Sequence, residues 1–504
     1  MNDKKRSATI VALFAFVVTA TALRNWYALD DVHVIFMNAR VHSLSGFWNL
    51  FSQTYWPPED GASLYRPLTM LAFAVQWAIG GGSPYVFHAI NGVLYATTCA
   101  AFYLLLTELV SARAALVAAL LFAAHPVHVE VTANIVGQAE LWVASILFLS
   151  TWHYVRRRRA GTFSVRDAVA ITFAFLVACL FKENAIILPA LLLAAELTLI
   201  QSQFAARVRK VAPLMVMLGV VAIVFVVVRT SVIGRFTGAG QNGVLGISGF
   251  DVRLWTALRV ILEWARLLIW PAQLSSDYSF QRLDVATAFE PVMLASIALV
   301  VGLIAVAVRL RKALPVFGFG VAWIVLTLLI PSNLVVMTGF MLAERALFLA
   351  SAGVIVCVAV IGQWVWRTVG ESNVRVRPMM LGASALLLIA GSARSLLRAP
   401  VWHDNYTLFR QTVKDVPTSY RAHWMLAENL LEHGSNQEGL DEMLKAVVLA
   451  RKDDAYVLAF AGDKFTEAGR CGIASELYRR AKAIQPDVPV AFSDAFRLCS
   501  RRAQ

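Results

Sequence analysis

Long apolar runs return through the first 394 residues, and each is nearly free of charge. A bilayer span needs roughly 20 mainly apolar residues. Eleven runs serve as candidates: 8–24, 86–108, 113–126, 138–155, 167–183, 184–200, 211–229, 290–308, 315–331, 346–366 and 378–394. Only structures that satisfy their own backbone polar groups tolerate hydrocarbon. The composition agrees, with 59% hydrophobic and 15% charged residues, whereas soluble domains carry about 25% charged. The sequence predicts an all-α, polytopic membrane protein of about eleven transmembrane helices. The apolar density ends near Ser392. Residues 1–398 therefore read as a membrane domain and 399–504 as a separate soluble tail.

"MNDKKR" ahead of the first run has the form of a signal peptide. No small-residue cleavage site precedes "RNWYALDD", so 8–24 reads as a retained anchor. Basic clusters stand at 4–6, Arg113, 156–159, Arg207/Arg209/Lys210, Arg309/Arg311/Lys312 and Arg367/Arg375/Arg377. With a cytoplasmic N-terminus and eleven crossings, all of them fall on the cytoplasmic side, as the positive-inside rule requires. Topology thus accounts for much of the +13 net charge, and no nucleic acid is implied. The odd count puts the tail outside. "YRPLTMLAFAVQWAIGG" (65–81) and "VRLWTALRVILEWARLLIW" (252–270) read as amphipathic helices lying in the interface. Five cysteines are too few for a disulfide framework. Cys99, Cys179 and Cys357 lie in apolar helices as packing residues, and Cys471 and Cys499 can pair, although no pattern demands it.

In this topology the unusual polar residues share the outer face. The first outer loop, "ALDDVHVIFMNARV" onward, holds Asp30 and Asp31, and later Tyr65 and Arg66. The second, "HPVHVEVTANIVGQAE", holds His125, His128, Glu130, Gln138 and Glu140. Lys182-Glu183-Asn184 form the third turn, Asp277 and Tyr278 lie in the fourth loop, and Glu344-Arg345 in the fifth. Ionisable groups at membrane depth are functional candidates by default, and together these loops predict a lined cavity. Each group also has a plainer reading. Asp30 or Asp31 can cap the next helix, or one can act as a general base while the other holds the acceptor or a metal. His125 and His128, with Glu130 near, can face a divalent metal or simply line the cavity, and Pro126 disturbs a helical His-x-x-His pair. Lys182-Glu183 and Glu344-Arg345 can be mutual ion pairs, or Arg345 and Lys182 can bind a donor phosphate. The Gly-rich stretch 234–249 lacks the phosphate-loop lysine and reads as a loop over the cavity.

Residues 420–486 repeat weakly with a period of about 34, that of a tetratricopeptide helix pair, with Gly434 and Gly469 at matching turns. "HDNYTLFRQTVKDVP" (403–417) supplies a helix leading in, and 487–500 a closing one. Such a tail either presents a concave surface to partner proteins or braces the membrane part.

Several stretches together resemble a known family. "LDDVHVIFMNARV", "FHAINGVLYA", "AAHPVHVEVTANIVGQAELW", "FKENAIILP", "LLIWPAQLSSDYS", "IPSNLVVMTGFMLAERALFLAS" and the Trp402–Asp404 entry to the repeats are similar to the GT-C membrane glycosyltransferases. The order of these motifs most resembles the transmembrane and tetratricopeptide-repeat O-mannosyltransferases and their bacterial relatives. The resemblance implies a GT-C-like fold with in-plane outer helices, a polyprenyl-phosphate sugar donor and transfer on the outer face. It implies an aspartate in the first outer loop as the base, at Asp30 or Asp31, with Asp30 favoured as the first of the pair. Inversion then needs one base and cations at the leaving phosphate, here Arg345 and Lys182. Glu344, Glu130, Glu140, Gln138, His125, His128, Tyr65, Arg66, Asp277 and Tyr278 line the cavity or meet the acceptor. Gln138 departs from the family, which often has arginine there, and the repeat tail is short.

The expected function is sugar transfer to an acceptor, with a protein hydroxyl favoured and a lipid or glycan as the alternative. No resident cofactor is demanded, and a divalent metal is left open. Membrane lipid, the lipid-linked sugar and an acceptor docked on the repeats are the expected partners. Arginine outnumbers lysine, which favours a bacterial inner membrane with a periplasmic site over the endoplasmic reticulum. A non-enzymatic scaffold tolerates alanine at Asp30 and Asp31. A transporter places its polar groups near mid-bilayer, and these gather at one face.

Overall fold

The computed structural model describes residues 2–58, 64–234, 249–278, 283, 285–338, 340–450 and 455–485. The Gly-rich stretch, Cys499 and the closing segment 487–500 lie outside those residues. The described residues are helical and contain no strand. Among the described residues six helices are long and apolar enough to cross a membrane: Pro84–Leu109, Ile135–Arg159, Ala205–Ile233, Val292–Arg309, Glu344–Ser372 and Val376–Trp402. A bent pair, Ala112–Ala123 with Pro126–Ala133, makes a seventh. Its 50° break falls at Pro126, which has no N–H to donate into the helix. The other candidate runs form shorter helices of 12 to 17 residues at Asn2–Val18, Val165–Phe181, Leu188–Leu199 and Pro315–Leu329. Length and composition alone therefore support fewer spans than the eleven expected. Neither Pro67–Gly80 nor Phe250–Ile269 qualifies as a span. Arg259 and Arg266 of the latter helix pair with Glu290 and Glu263.

Two compact units divide the chain: 1–274 with 285–404, and 275–284 with 405–504. The boundary falls after Asp404 rather than at 398, because the 3-10 turn Ala399–Trp402 is bound into the first unit. Asn25 Nδ2 donates to the Ala399 carbonyl at 2.9 Å, Trp26 N–H donates to the His403 carbonyl at 2.6 Å, and Trp402 is buried. The first unit's core is aromatic and aliphatic, with Phe102, Phe122, Phe148, Trp323 and Phe348 at its centre. Cys99, Cys179 and Cys357 are buried free thiols, as expected of packing residues.

The second unit contains a leading helix, Asn405–Asp415, and two helical hairpins. The hairpins are Tyr420–Glu432 with Asn436–Leu449, and Ala455–Glu467 with Cys471–Ile484. Gly434 and Gly469 take left-handed backbone at the matching turns, with φ of 81° and 72°, a conformation glycine adopts without a Cβ penalty. Met443, Leu458, Phe465, Leu477 and Tyr478 fill the core between the hairpins. Asp277 belongs to this unit, where it accepts a hydrogen bond from Ser419 Oγ at 3.0 Å. Tyr278 is buried in the same unit.

Candidate active site

The polar motifs of the first unit share a local form. Four enter a helix through a short 3-10 turn, Pro126–His128, Ile135–Gly137, Glu183–Ile187 and Glu344–Leu347, and the acidic pair leads into the π turn Val32–Phe36. Such turns hold side chains at helix N-termini, where backbone N–H groups are unsatisfied and negative charge is favoured.

Leu29 precedes the acidic pair with φ of 53°, a left-handed conformation uncommon for a side chain with a Cβ and concentrated at functional sites. The two carboxylates that follow have different fates. Asp31 is fully buried. Its Oδ2 accepts the N–H of Ile135 at 3.0 Å and its Oδ1 that of Val136 at 2.8 Å. It caps the helix 104 residues away and not the next helix. Gly137 allows this turn to close tightly, since a Cβ there would lie 2.4 Å from the Val131 carbonyl oxygen. Asn91 Nδ2 secures the same stretch by donating to the carbonyls of Thr132 and Asn134 at 3.1 and 3.3 Å. Burial pushes the Asp31 carboxyl up to about 8, against the pull of its backbone donors, and the Asp30 charge adds to the rise. Both of its oxygens are occupied and the residue is buried, so Asp31 anchors this helix start.

Asp30 is 26% exposed and lies 3.8 Å from Arg345 Nη2, too far for a hydrogen bond. The other edge of the guanidinium is fixed. Arg345 Nη1 donates to Glu130 Oε1 at 2.6 Å and the Arg345 backbone N–H donates to Glu130 Oε2 at 2.8 Å. Glu130 is buried.

A second set of ion pairs stands beside the first. Lys182 Nζ donates to Glu140 Oε1 at 2.5 Å and Asn184 Nδ2 to Glu140 Oε2 at 2.7 Å. Arg66 holds both oxygens of Glu183, at 2.9 and 2.5 Å. Lys182, Glu183 and Arg345 thus find their ion-pair partners in other loops rather than in a sequence neighbour. The charge of Glu140 reaches both Arg345 and Arg66, so the two sets make one electrostatic cluster. Arg229, at the end of the long helix Ala205–Ile233, lies within reach of Glu183 and Arg66.

Several expected cavity residues are engaged within the protein. Gln138 is buried in a reciprocal amide pair with Gln76, at 2.6 and 3.1 Å. Tyr65 Oη donates to the Phe51 carbonyl at 2.9 Å. His125 Nδ1 accepts the Val127 N–H, and its Nε2 donates to the Leu268 carbonyl at 3.1 Å. Tyr95 Oη and Ser351 Oγ occupy both ring nitrogens of His128, at 2.9 and 2.8 Å. With their nitrogens so occupied, the two histidines line a small, mainly apolar cavity with Val18, Thr19, Val129, Thr132 and Ser395. Among the described residues no group of three His, Cys, Asp or Glu side chains is arranged to hold a metal. Glu344 is buried at the head of its helix.

The sequence motifs pass over Tyr55, Gln76 and Arg229. Arg229 carried a signal, an ionisable residue at the end of an apolar run. Tyr55 had none beyond its aromatic neighbours.

No family model matches the chain. The mouse protein O-mannosyl-transferase TMTC3 is 25% identical over 514 residues, 95% of this chain and 55% of that relative. Mouse TMTC4 is 26% identical over 84% of this chain and 64% of its own length. The Drosophila melanogaster protein O-mannosyl-transferase Tmtc2 is 31% identical over 54% of this chain and 30% of its length. The chain thus spans about half the length of the curated relatives it matches. Among solved structures, the Archaeoglobus fulgidus oligosaccharyltransferase is similar at a TM-score of 0.41 and 12% identity, over 98% of this chain and 72% of that one. The chain is an integral membrane protein similar, along nearly its whole length, to the transmembrane and tetratricopeptide-repeat protein O-mannosyltransferases.

Proposed function

We propose that the chain is an inverting GT-C-like glycosyltransferase that moves a sugar from a polyprenyl-phosphate donor to a hydroxyl of a protein acceptor. The reading rests chiefly on Asp30. Among the described carboxylates of the cluster it alone is both partly exposed and without a hydrogen bond. It takes the proton of the acceptor hydroxyl as that oxygen attacks the anomeric carbon, while the bond to the donor phosphate breaks. The side chains that receive the leaving phosphate are cations, which stabilise charge where it develops.

Arg345 was expected there, with Lys182. We take Lys182 and Arg66 instead, on the ground that Arg345 stands beside the base. In displacement with inversion the reacting sugar lies between the base and the groups on the leaving side. The analogous carboxyl pair of inverting glycosidases stands about 6.5–9.5 Å apart. Arg345 is 3.8 Å from Asp30 and belongs to the base's side, with Glu130 as its positioning residue. Lys182→Gln keeps a donor for Glu140 and removes the charge. The variant should bind polyprenyl phosphate on the order of tenfold more weakly, the scale of one charged hydrogen bond. Unchanged affinity would place the phosphate elsewhere.

The second unit's paired hairpins suit a tetratricopeptide-type module that docks the acceptor. The basic clusters favour a cytoplasmic N-terminus, with the site and tail on the periplasmic side of a bacterial inner membrane. Reporter fusions after Arg159 and after Gln504 should report opposite sides. Matching sidedness would overturn this topology.

A further inference from the structure

Tyr55 is 2% exposed, and its hydroxyl has no hydrogen-bond partner among the described residues. Buried polar groups are almost always paired, and each exception calls for a reason. This one stands where the two ion-pair sets meet. The charges of Arg66, Asp30, Asp31 and Arg345 all reach Tyr55. The Arg66 guanidinium stacks over its ring, 5.0 Å from the centroid. Its backbone is clamped from both ends. Tyr55 N–H donates to the Leu64 carbonyl at 2.6 Å, and Arg40 Nη2 donates to the Tyr55 carbonyl at 3.3 Å. Arg40 is itself held by Asn38 and the Thr54 carbonyl. Burial raises the phenol above its ordinary value, so the group is a neutral hydroxyl.

We infer that the Tyr55 hydroxyl is a substrate-binding residue that hydrogen-bonds a hydroxyl of the transferred sugar. The inference rests on the glycosyltransferase reading. A phosphate takes donors only, and Arg66 and Lys182 supply those. A sugar hydroxyl both donates and accepts, which matches a phenol. The position agrees, since the Tyr55 ring carries the Arg66 guanidinium and the charge of Asp30 reaches its phenol. A sugar hydroxyl beside Tyr55 gives the phenol its missing partner.

Tyr55→Phe tests this, because it removes one oxygen that bonds no described residue. Purified full-length wild type, Tyr55→Phe and Asp30→Asn are compared for melting temperature, affinity for sugar-free polyprenyl phosphate and transfer from polyprenyl-phosphate mannose. Tyr55→Phe should melt at or above wild type and bind polyprenyl phosphate equally well. Its transfer rate should be about 10- to 100-fold lower, since hydrogen bonds to the sugar strengthen in the transition state. Undiminished transfer overturns the inference, as does a lower melting temperature, which would reveal a structural bond. A parallel loss of polyprenyl phosphate affinity would assign the hydroxyl to the phosphate and overturn it too. If wild type transfers, Asp30→Asn does not and Tyr55→Phe does, only this inference fails. If wild type is inert, the glycosyltransferase reading fails with it.

Discussion

Asp30→Asn should leave a folded protein whose transfer rate is lower by on the order of 10²–10⁴-fold, the usual contribution of a positioned general base. The amide keeps the shape of the side chain and loses its basicity. Stability should hold, because Asp30 accepts no hydrogen bond from the described residues and its nearest cation is 3.8 Å away. Affinity for polyprenyl phosphate should also hold, since the cations assigned to it are untouched. Turnover with lipid-linked mannose, measured beside a melting curve, reads both expectations. Near-normal turnover would remove Asp30 from the chemistry.

Asp31→Ala should act in the opposite way. It orphans the N–H groups of Ile135 and Val136, and each buried donor left unpaired costs about 1–3 kcal/mol. Together these are a large part of a typical folding free energy, so the variant should melt far below wild type or fail to accumulate. Asp31→Asn retains one acceptor and should fall between. Whatever folded protein remains should still turn over, because both Asp31 oxygens are taken up by backbone N–H groups. A melting temperature like that of wild type in Asp31→Ala would show that the helix start does not depend on this carboxylate.

The apolar runs made the helical, membrane-bound character legible, since lipid imposes it on any chain of this composition. The ion-pair partners were not legible. Lys182, Glu183 and Arg345 each look satisfied by a sequence neighbour, yet their partners are Glu140, Arg66 and Glu130. Those partners come from other loops, and no local spacing encodes them. The division of labour between Asp30 and Asp31 was hidden for the same reason, because the helix that Asp31 caps begins more than a hundred residues away. The two hairpins of the tail were visible, since Gly434 and Gly469 mark turns that need left-handed backbone. The span count was less legible, because several apolar runs yield helices of only 12 to 17 residues, at or below the lower limit for a crossing.

The most direct measurement supplies purified full-length protein with mannose carried on polyprenyl phosphate and a hydroxyl-bearing acceptor peptide. Labelled sugar is followed into the peptide, and the anomeric configuration is read by NMR. A parallel reaction supplies the same sugar only as a nucleotide sugar. Wild type should label the peptide from the lipid-linked donor alone, with inversion, and Asp30→Asn should not. Labelling from the nucleotide sugar, retained configuration, or equal activity in Asp30→Asn would contradict transfer at this cluster.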